Sequence, residues 1–474
     1  MIVLADISYI QEGRASTFRQ QLGLAAKLAL PAILAQLSSI IMQYIDASMV
    51  GRLGTDPAAA IGLVSTSLWL FWGTCSAITM GFSVLVSHRV GAKDYAGARD
   101  ILRQSITATV IFSLVITAIG LSISVALPRW LGGDEAITHM ASNYFMIFVM
   151  ALPMLSLNYL AGGMLRCAGN MKVPSLLNIM MCVLDVVFNY LLIFETREVS
   201  IGSLSFAMPG AGLGVTGAAL GTVLAEIITA CTMLNYLCRY EKGLALRGTT
   251  GSFRPVKSLI SKALRISAPM AVEHAVICGA QVMITVIVAP LGAVAIAANA
   301  FAVTAESLCY MPGYGIGDAA TTLVGQSHGA NNPHLVRRFG YITVGLGMFV
   351  MTVMGIVLYI TAPWMMELMT PVEEIATLGA DMLRIEAWAE PMFAASIVAY
   401  GVFVGMGDTI VPACMNFGSI WLVRVPLAAW LASYYSGGEP SAAGLKGVWI
   451  AMAVELTFRG TIFLVRLIRD RWSR

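Results

Sequence analysis

The stretch GAKDYAGAR, Gly91 to Arg99, returns as GANNPHLVR, Gly329 to Arg337, with its Gly-Ala pair and closing arginine kept and a displacement of 238 positions. The same displacement pairs Pro31 with Pro269, Leu53-Gly54 with Leu291-Gly292, Gly169 with Gly407 and Pro174 with Pro412. Composition alone supplies scattered Gly and Ala matches, but not one register held without a gap over about 140 residues. The chain is therefore read as an internal duplication. Near the end the register slips, with Gly217 of GVTGAAL matching Gly447 of GLKGVWI. A connection about eight residues shorter in the second half accounts for this.

What is duplicated spans a membrane. Of the 474 residues, 58% are hydrophobic and 12% charged, with a mean hydropathy of +0.79, more apolar surface than a soluble domain of this length can bury. Runs long enough for a bilayer core, roughly 20 residues each, recur along the whole chain. They predict twelve spans near residues 28–50, 57–84, 104–127, 138–161, 174–194, 213–237, 266–289, 294–325, 340–361, 377–404, 412–434 and 447–466. The expected fold is all-α, with two six-helix lobes as parallel repeats. Residues 1–27 form a cytoplasmic N-terminal segment, 28–238 the N-lobe, 239–265 a cytoplasmic linker, 266–466 the C-lobe and 467–474 a cytoplasmic tail. An even number of spans per repeat sends both lobes into the membrane in the same direction, and in transporters so built the substrate path lies between them.

Charge placement gives the orientation. One side collects basic clusters such as Arg89, Lys93, Arg99 and Arg103, and the run from Arg239 to Arg265; the other holds only Arg52, Arg129, Arg197 and Lys446. Positive loops stay in the cytoplasm, so both termini are expected there. The net charge of +3 then reflects topology and gives no indication of nucleic acid. The first 27 residues lack an early apolar core with a small-residue cleavage site, so no cleaved signal is expected. Ile7, Ile10, Phe18 and Leu22 suggest an amphipathic interfacial helix or a frayed tail. Eight scattered cysteines with no CxxC pair suggest neither zinc nor disulfides.

The stretch IIMQYIDASMVGRLG, Ile40 to Gly54, keeps an aspartate inside an apolar span. A mid-helix aspartate costs about 2.5 to 3.5 kcal/mol on insertion scales, so such a residue faces a cavity and carries function. Gln36, Ser39, Gln43 and Asp46 follow helical spacing and form one polar stripe. Asp185 and Asn189 share a face of the fifth span, as do Thr222 and Glu226 on the sixth. By depth, Asp46, Asn189 and Thr222 belong to one layer, with Asp185 a turn deeper. Carboxylates with amide and hydroxyl oxygens suit a hard cation such as Na⁺, at Asp46, Asp185, Asn189 and Thr222, and equally a proton. Glu455 and Arg459 read as an i, i+4 ion pair, Arg424 as a partner for a C-lobe carboxylate, and Arg384 near Asp381 as an interface residue. Tyr44, Tyr159, Met42 and Met180 are soft enough to line a site for varied organic cations, or simply to pack. No GxSxG, HExxH or GxxxxGK[ST] motif occurs, so neither an enzyme nor direct ATP drive is expected, and no cofactor.

PAILAQLSSIIMQYIDASMVGRLG, GFSVLVSHRVGAKDYAGAR, RCAGNMKVPSLLNIMMCVLDVVFNYLLIF, GVTGAALGT, ISAPMAVEHAV, GDAATTLVGQSHGA, GMGDTIVP and WLVRVPLA resemble, in order and spacing, the multidrug and toxic compound extrusion (MATE) transporters. The resemblance covers nearly the whole chain. It implies a twelve-helix, two-lobed antiporter that expels small cationic, amphipathic organic compounds in exchange for H⁺ or Na⁺, working as a monomer in the lipid bilayer. Members similar to it use an aspartate on the first span with an Asn/Asp pair on the fifth, here in the order Asp185 then Asn189. Glu273 matches an acidic position of one branch, with His274 beside it as a bystander. That branch also has an aspartate in the tenth span, whereas Pro391 to Met406 contains no acid, Glu386 and Glu390 being nearest. The alternative is a lipid or lipid-linked oligosaccharide flippase of the same superfamily, for which basic cavity residues rather than acidic ones are expected.

Overall fold

The computed structural model describes residues 17–201 and 204–469, and among these it is helical almost throughout. The first half runs α1 (Phe18–Gly51), α2 (Thr55–Gly91), α3 (Tyr95–Ile123), α4 (Glu135–Cys167), α5 (Lys172–Ile193) and α6 (Gly214–Arg239). The second half runs α7 (Lys257–Val288), α8 (Ala293–Gly329), α9 (Pro333–Met369), α10 (Glu373–Ala387), α11 (Glu390–Gly405), α12 (Ile410–Tyr435) and α13 (Gly444–Ile468). Eleven of the described helices are each long and apolar enough to cross a membrane, and α10 with α11 makes a twelfth crossing that bends by 59°.

The duplication is visible in the backbone. Lys93 and Asn331 are the two non-glycine residues with positive φ among those described, at 59° and 53°, and they are 238 positions apart. The next residue in each half caps a helix: the Asp94 carboxylate accepts from the Gly97 N–H and the Asn332 amide oxygen from the Leu335 N–H. Gly169 and Gly407, matched in sequence, turn out of α4 and α11 at φ of 96° and 79°, a left-handed conformation that L side chains resist. Identity thus survived where turn geometry left little choice.

The register slip also has a cause. Between α5 and α6 the chain forms an antiparallel hairpin, β1 (Glu195–Ile201) with β2 (Leu204–Ala211), while residues 436–443 join α12 to α13 without strands. The twelve-span reading does not contain this hairpin, because two short strands of mixed polarity give little period-two signal beside long apolar helices.

Three boundaries differ from expectation. A capping box of Thr17 and Gln20 starts α1 at Phe18, so residues 18–27 are helical rather than a separate segment. The opening residues 1–16, and with them the expected interfacial helix, lie outside the described residues. The linker is shorter than 239–265, since α7 begins at Lys257. The tenth span is broken rather than continuous over 377–404: Pro391, lacking an N–H, stands in the first turn of α11 and cannot continue α10.

Each half has its own packed cluster, around Leu68, Phe145 and Leu152 in the first and Ala298, Met382 and Trp449 in the second. A further cluster joins them: Leu24, Ala25, Leu28 and Ala29 of α1 pack with Ile316, Leu323, Phe339 and Phe403. Apolar lipid supplies little drive for helix association, so small residues that let backbones approach do much of this work. The first turns of α1 therefore belong to the core of the other half, while its last turns, from Ile41 on, are half-buried or exposed except at Val50.

Candidate functional site

Three of the sequence-derived residues meet near the far ends of α1 and α5. The Asn189 Nδ2 donates to Asp46 Oδ1 at 3.0 Å and to Asp185 Oδ2 at 3.1 Å, which holds the two carboxylate oxygens within about 6 Å of each other. Asp185 and Asn189 are buried, at 0% and 1% exposure, whereas Asp46 is half-buried. The amide thus bridges an enclosed carboxylate and a reachable one. A glycine makes this possible: a Cβ at Gly221 of α6 would fall 2.0 Å from Asn189 Oδ1. The Thr222 hydroxyl bonds the Ala218 carbonyl at 3.2 Å and stands beside Asp185, with Glu226 on the same face of α6. Tyr144 of α4 lies near both aspartates. Gln43, expected on the same stripe, is exposed, and no described side chain holds it.

The donor set can be judged against both coupling ions. One Oδ1 of Asp185 is buried without a partner, and the Asp46 and Asp185 carboxylates would suit either a proton or a hard cation. Asn189 does not present its oxygen as expected for Na⁺. Its NH₂ points to the aspartates and its Oδ1 to α6, because the carboxylates are acceptors and the amide turns its donor toward them.

In the second half Glu273 of α7 is buried and fully engaged, accepting from the Tyr400 hydroxyl at 2.6 Å and from the Asn416 amide. His274 bonds the Trp69 carbonyl at 3.0 Å. Glu455 is the hub of a denser network: Arg424 donates to Oε2 from Nη2 at 2.6 Å and from Nε at 2.8 Å, Arg459 Nε lies 3.1 Å from Oε1, and Ser419 donates as well. A π-helical stretch over Ser419–Arg424 interrupts α12 where two of these donors arise. Arg384 lies over the Tyr359 ring at 5.6 Å. Removing the hub charge takes from both guanidiniums the one carboxylate at ion-pair distance among the described residues, so Glu455→Gln is expected to destabilise the protein by about 3 kcal/mol. Melting in detergent should show this as a large fall in Tm, and adding Arg424→Met should not deepen it, since the two changes remove one interaction.

Sequence reasoning undervalues one constellation. Glu306, Glu386 and Glu390 lie close to one another and are buried, with the Cys309 thiol beside Glu390 and no hydrogen-bond partner for Glu386 among the described residues. In the sequence both lie before the apolar part of the tenth span, which makes them look peripheral to it. The bend at Trp388-Ala389 turns them inward instead, and the signal for it is Pro391 directly after Glu390. Glu273 and Glu455 bring the buried carboxylates of this half to five, of which Glu455 alone is at ion-pair distance from Arg424 and Arg459 among the described residues.

At the opposite end of the bundle from Asp46 the halves interlock along their duplicated motif. A Cβ at Gly91 would meet the Gln326 carbonyl at 2.0 Å, one at Gly329 the His88 carbonyl at 1.9 Å, and one at Gly325 the Ser87 hydroxyl at 2.2 Å. Residues 87, 88 and 91 are the counterparts of 325, 326 and 329, so α2 and α8 cross on the axis relating the repeats. His88 Nε2 bonds the Gly405 carbonyl at 2.7 Å, Gln326 Nε2 donates to the Cys167 carbonyl at 2.8 Å and Ser267 Oγ to the Ile78 carbonyl at 2.9 Å.

Two repeats of apolar helices interlocked at one end, with bridged acidic residues near the other, define the class as a polytopic membrane protein. The MatE family model matches residues 31–191 and again 269–430, one match in each repeat, and the chain belongs to this family. It is similar to the "Probable multidrug resistance protein NorM" of Thermotoga maritima, at 25% identity over 98% of this chain and 96% of the relative. The protein of that name from Pseudomonas aeruginosa is 28% identical, over 90% of this chain and 85% of its own. In fold it is similar to the Vibrio cholerae MATE transporter VcmN in its bent form, with a TM-score of 0.83 at 17% identity, covering 96% of this chain and 97% of that one. A Pyrococcus furiosus transporter of the MOP superfamily, described as having a binding pocket of reversed polarity that suggests a different function, matches equally well, with a TM-score of 0.83, 20% identity and coverage of 96% and 98%.

Proposed function

We propose that the protein is a cation-coupled antiporter that exports small, mostly cationic organic compounds by alternating access. It lies in the cytoplasmic membrane as a monomer, and the placement of Lys and Arg puts both termini inside. The observation that carries this reading is the single amide of Asn189 holding Asp46 and Asp185 together. Two carboxylates so close in a poorly polarisable interior persist only if a proton or another cation neutralises one of them. A cationic drug reaching the more exposed Asp46 then competes with the coupling ion, and arrival of the ion from outside discharges the drug.

The orientation of Asn189 favours H⁺. A shared proton is accommodated as the side chains stand, whereas Na⁺ liganded by the Asn189 oxygen requires the amide to turn its NH₂ toward the Gly221 backbone. The names of the NorM relatives support multidrug export. The acidic character of both interior clusters speaks against a flippase for anionic lipid-linked sugars, which needs basic groups in its cavity. The test is ethidium efflux with ΔpH and Na⁺ gradients imposed separately. Efflux driven by ΔpH alone supports proton coupling, and efflux driven only by Na⁺, with a thermal shift on Na⁺ but not K⁺, would replace H⁺ by Na⁺. Efflux that ignores both gradients would overturn the antiporter.

A further inference from the structure

The segment between α6 and α7 is fixed to the first half rather than looping freely. Leu244 is fully buried in the first half's packing, and the buried Arg103 of α3 donates to Thr249 and Asp100. Gln104 of α3 accepts from the Val256 N–H at 3.0 Å. The segment has one acid, Glu241, and it is withdrawn: 3% exposed, it accepts from Asn170 Nδ2 at 2.8 Å. Burial pushes its carboxyl up from the ordinary range, and the Asn170 bond partly offsets this.

What remains outside is of one sign. Arg239, Lys242, Arg247, Arg254 and Lys257 are all exposed, and none forms an ion pair among the described residues. Between them stand exposed apolar side chains, Tyr240 at 64%, Phe253 at 50% and Val256 at 51%. The position of the segment matters too. Arg239 ends one helix long and apolar enough to cross a membrane and Lys257 begins the next, so the strap joins two such helices at one end of the bundle.

We propose that this strap is a binding surface for anionic phospholipid headgroups, whose phosphates pair with its five cations while Tyr240, Phe253 and Val256 enter the interfacial region. Soluble anions share the phosphate chemistry, but a purely ionic site for them has no use for three exposed apolar groups. Lipid phosphates complement exposed cations on a segment anchored by Leu244 and Arg103, and the attraction weakens with salt.

The test reconstitutes the full-length protein in nanodiscs of phosphatidylcholine alone or mixed with phosphatidylglycerol, following Tm and, by native mass spectrometry, retained phosphatidylglycerol. The wild type is expected to gain Tm with phosphatidylglycerol, and high salt to remove the gain. The triple variant Arg247→Gln, Arg254→Gln, Lys257→Gln should lose at least half of that gain and retain several-fold less phosphatidylglycerol. If it melts below wild type in detergent, a charge-keeping variant, Arg247→Lys with Arg254→Lys, must restore the response. A full gain in the Gln variant overturns the proposal. So does an equal gain from inorganic phosphate in phosphatidylcholine discs, which would make the surface a soluble-anion site. Neither outcome bears on whether the protein exports drugs.

Discussion

Asp46→Asn is expected to reduce gradient-driven ethidium efflux at least tenfold, to near the level of cells without the transporter, while leaving the protein folded. The change keeps the shape of the side chain and removes its ability to carry a proton or neutralise a cation. Asn189 and Asp185 stay in place, held by α5 and by the contact with Gly221. Stability should be kept or raised, because one of two neighbouring carboxylates has become neutral. Asp185→Asn should act likewise, with a fall in substrate affinity less marked than at Asp46, since Asp185 is enclosed and Asp46 is the group a substrate can reach. Efflux at the wild-type rate under both ΔpH and Na⁺ gradients in Asp46→Asn would remove this residue from the coupling site.

The second large effect is expected far from any charge. Gly329→Ala adds one methyl group, 1.9 Å from the His88 carbonyl. That carbonyl also accepts the Ala92 N–H at the end of α2, so it is held by its own helix and cannot turn aside. Relief requires α2 and α8 to part by about 1 Å, which a close-packed interface resists and a two-state interface resolves by opening. Overpacking of this kind costs about 1 to 3 kcal/mol, enough to shift the balance of two states by roughly five- to a hundred-and-fiftyfold. Efflux should fall by a comparable factor. Cys167, now 3% exposed beside the same seam, should become reactive to a maleimide when labelling is resolved site by site. Gly91→Ala should do the same through the Gln326 carbonyl. Gly345→Ala is the control, since nothing lies within 4 Å of a methyl group there. Unchanged Cys167 labelling with normal efflux in Gly329→Ala would mean that this crossing does not gate the path.

Much of this is legible in the order of the residues. The 238-residue register predicts a repeated bundle, and the residues that carry it are those whose geometry allows few substitutes, Gly169 and Gly407 at left-handed turns and Gly91 and Gly329 where two helices touch. Asp46, Asp185 and Asn189 stand out because polar groups inside apolar spans are costly and few. Gln43 fits the same spacing but is exposed, since a helical stripe fixes an angle around the axis and not what lies opposite it. Glu386 and Glu390 look peripheral because hydropathy treats a span as straight. Only the bend of 59° shows that they point inward.

Duplication, twelve spans and acidic groups within them are written in the order of the residues, because periodicity, hydropathy and turn residues are local properties of the chain. Tertiary structure alone decided which acids meet, which amide joins them and which end of the bundle is closed. Those depend on distances between helices far apart in the chain, set by whether a glycine such as Gly221 or Gly329 lets two backbones touch.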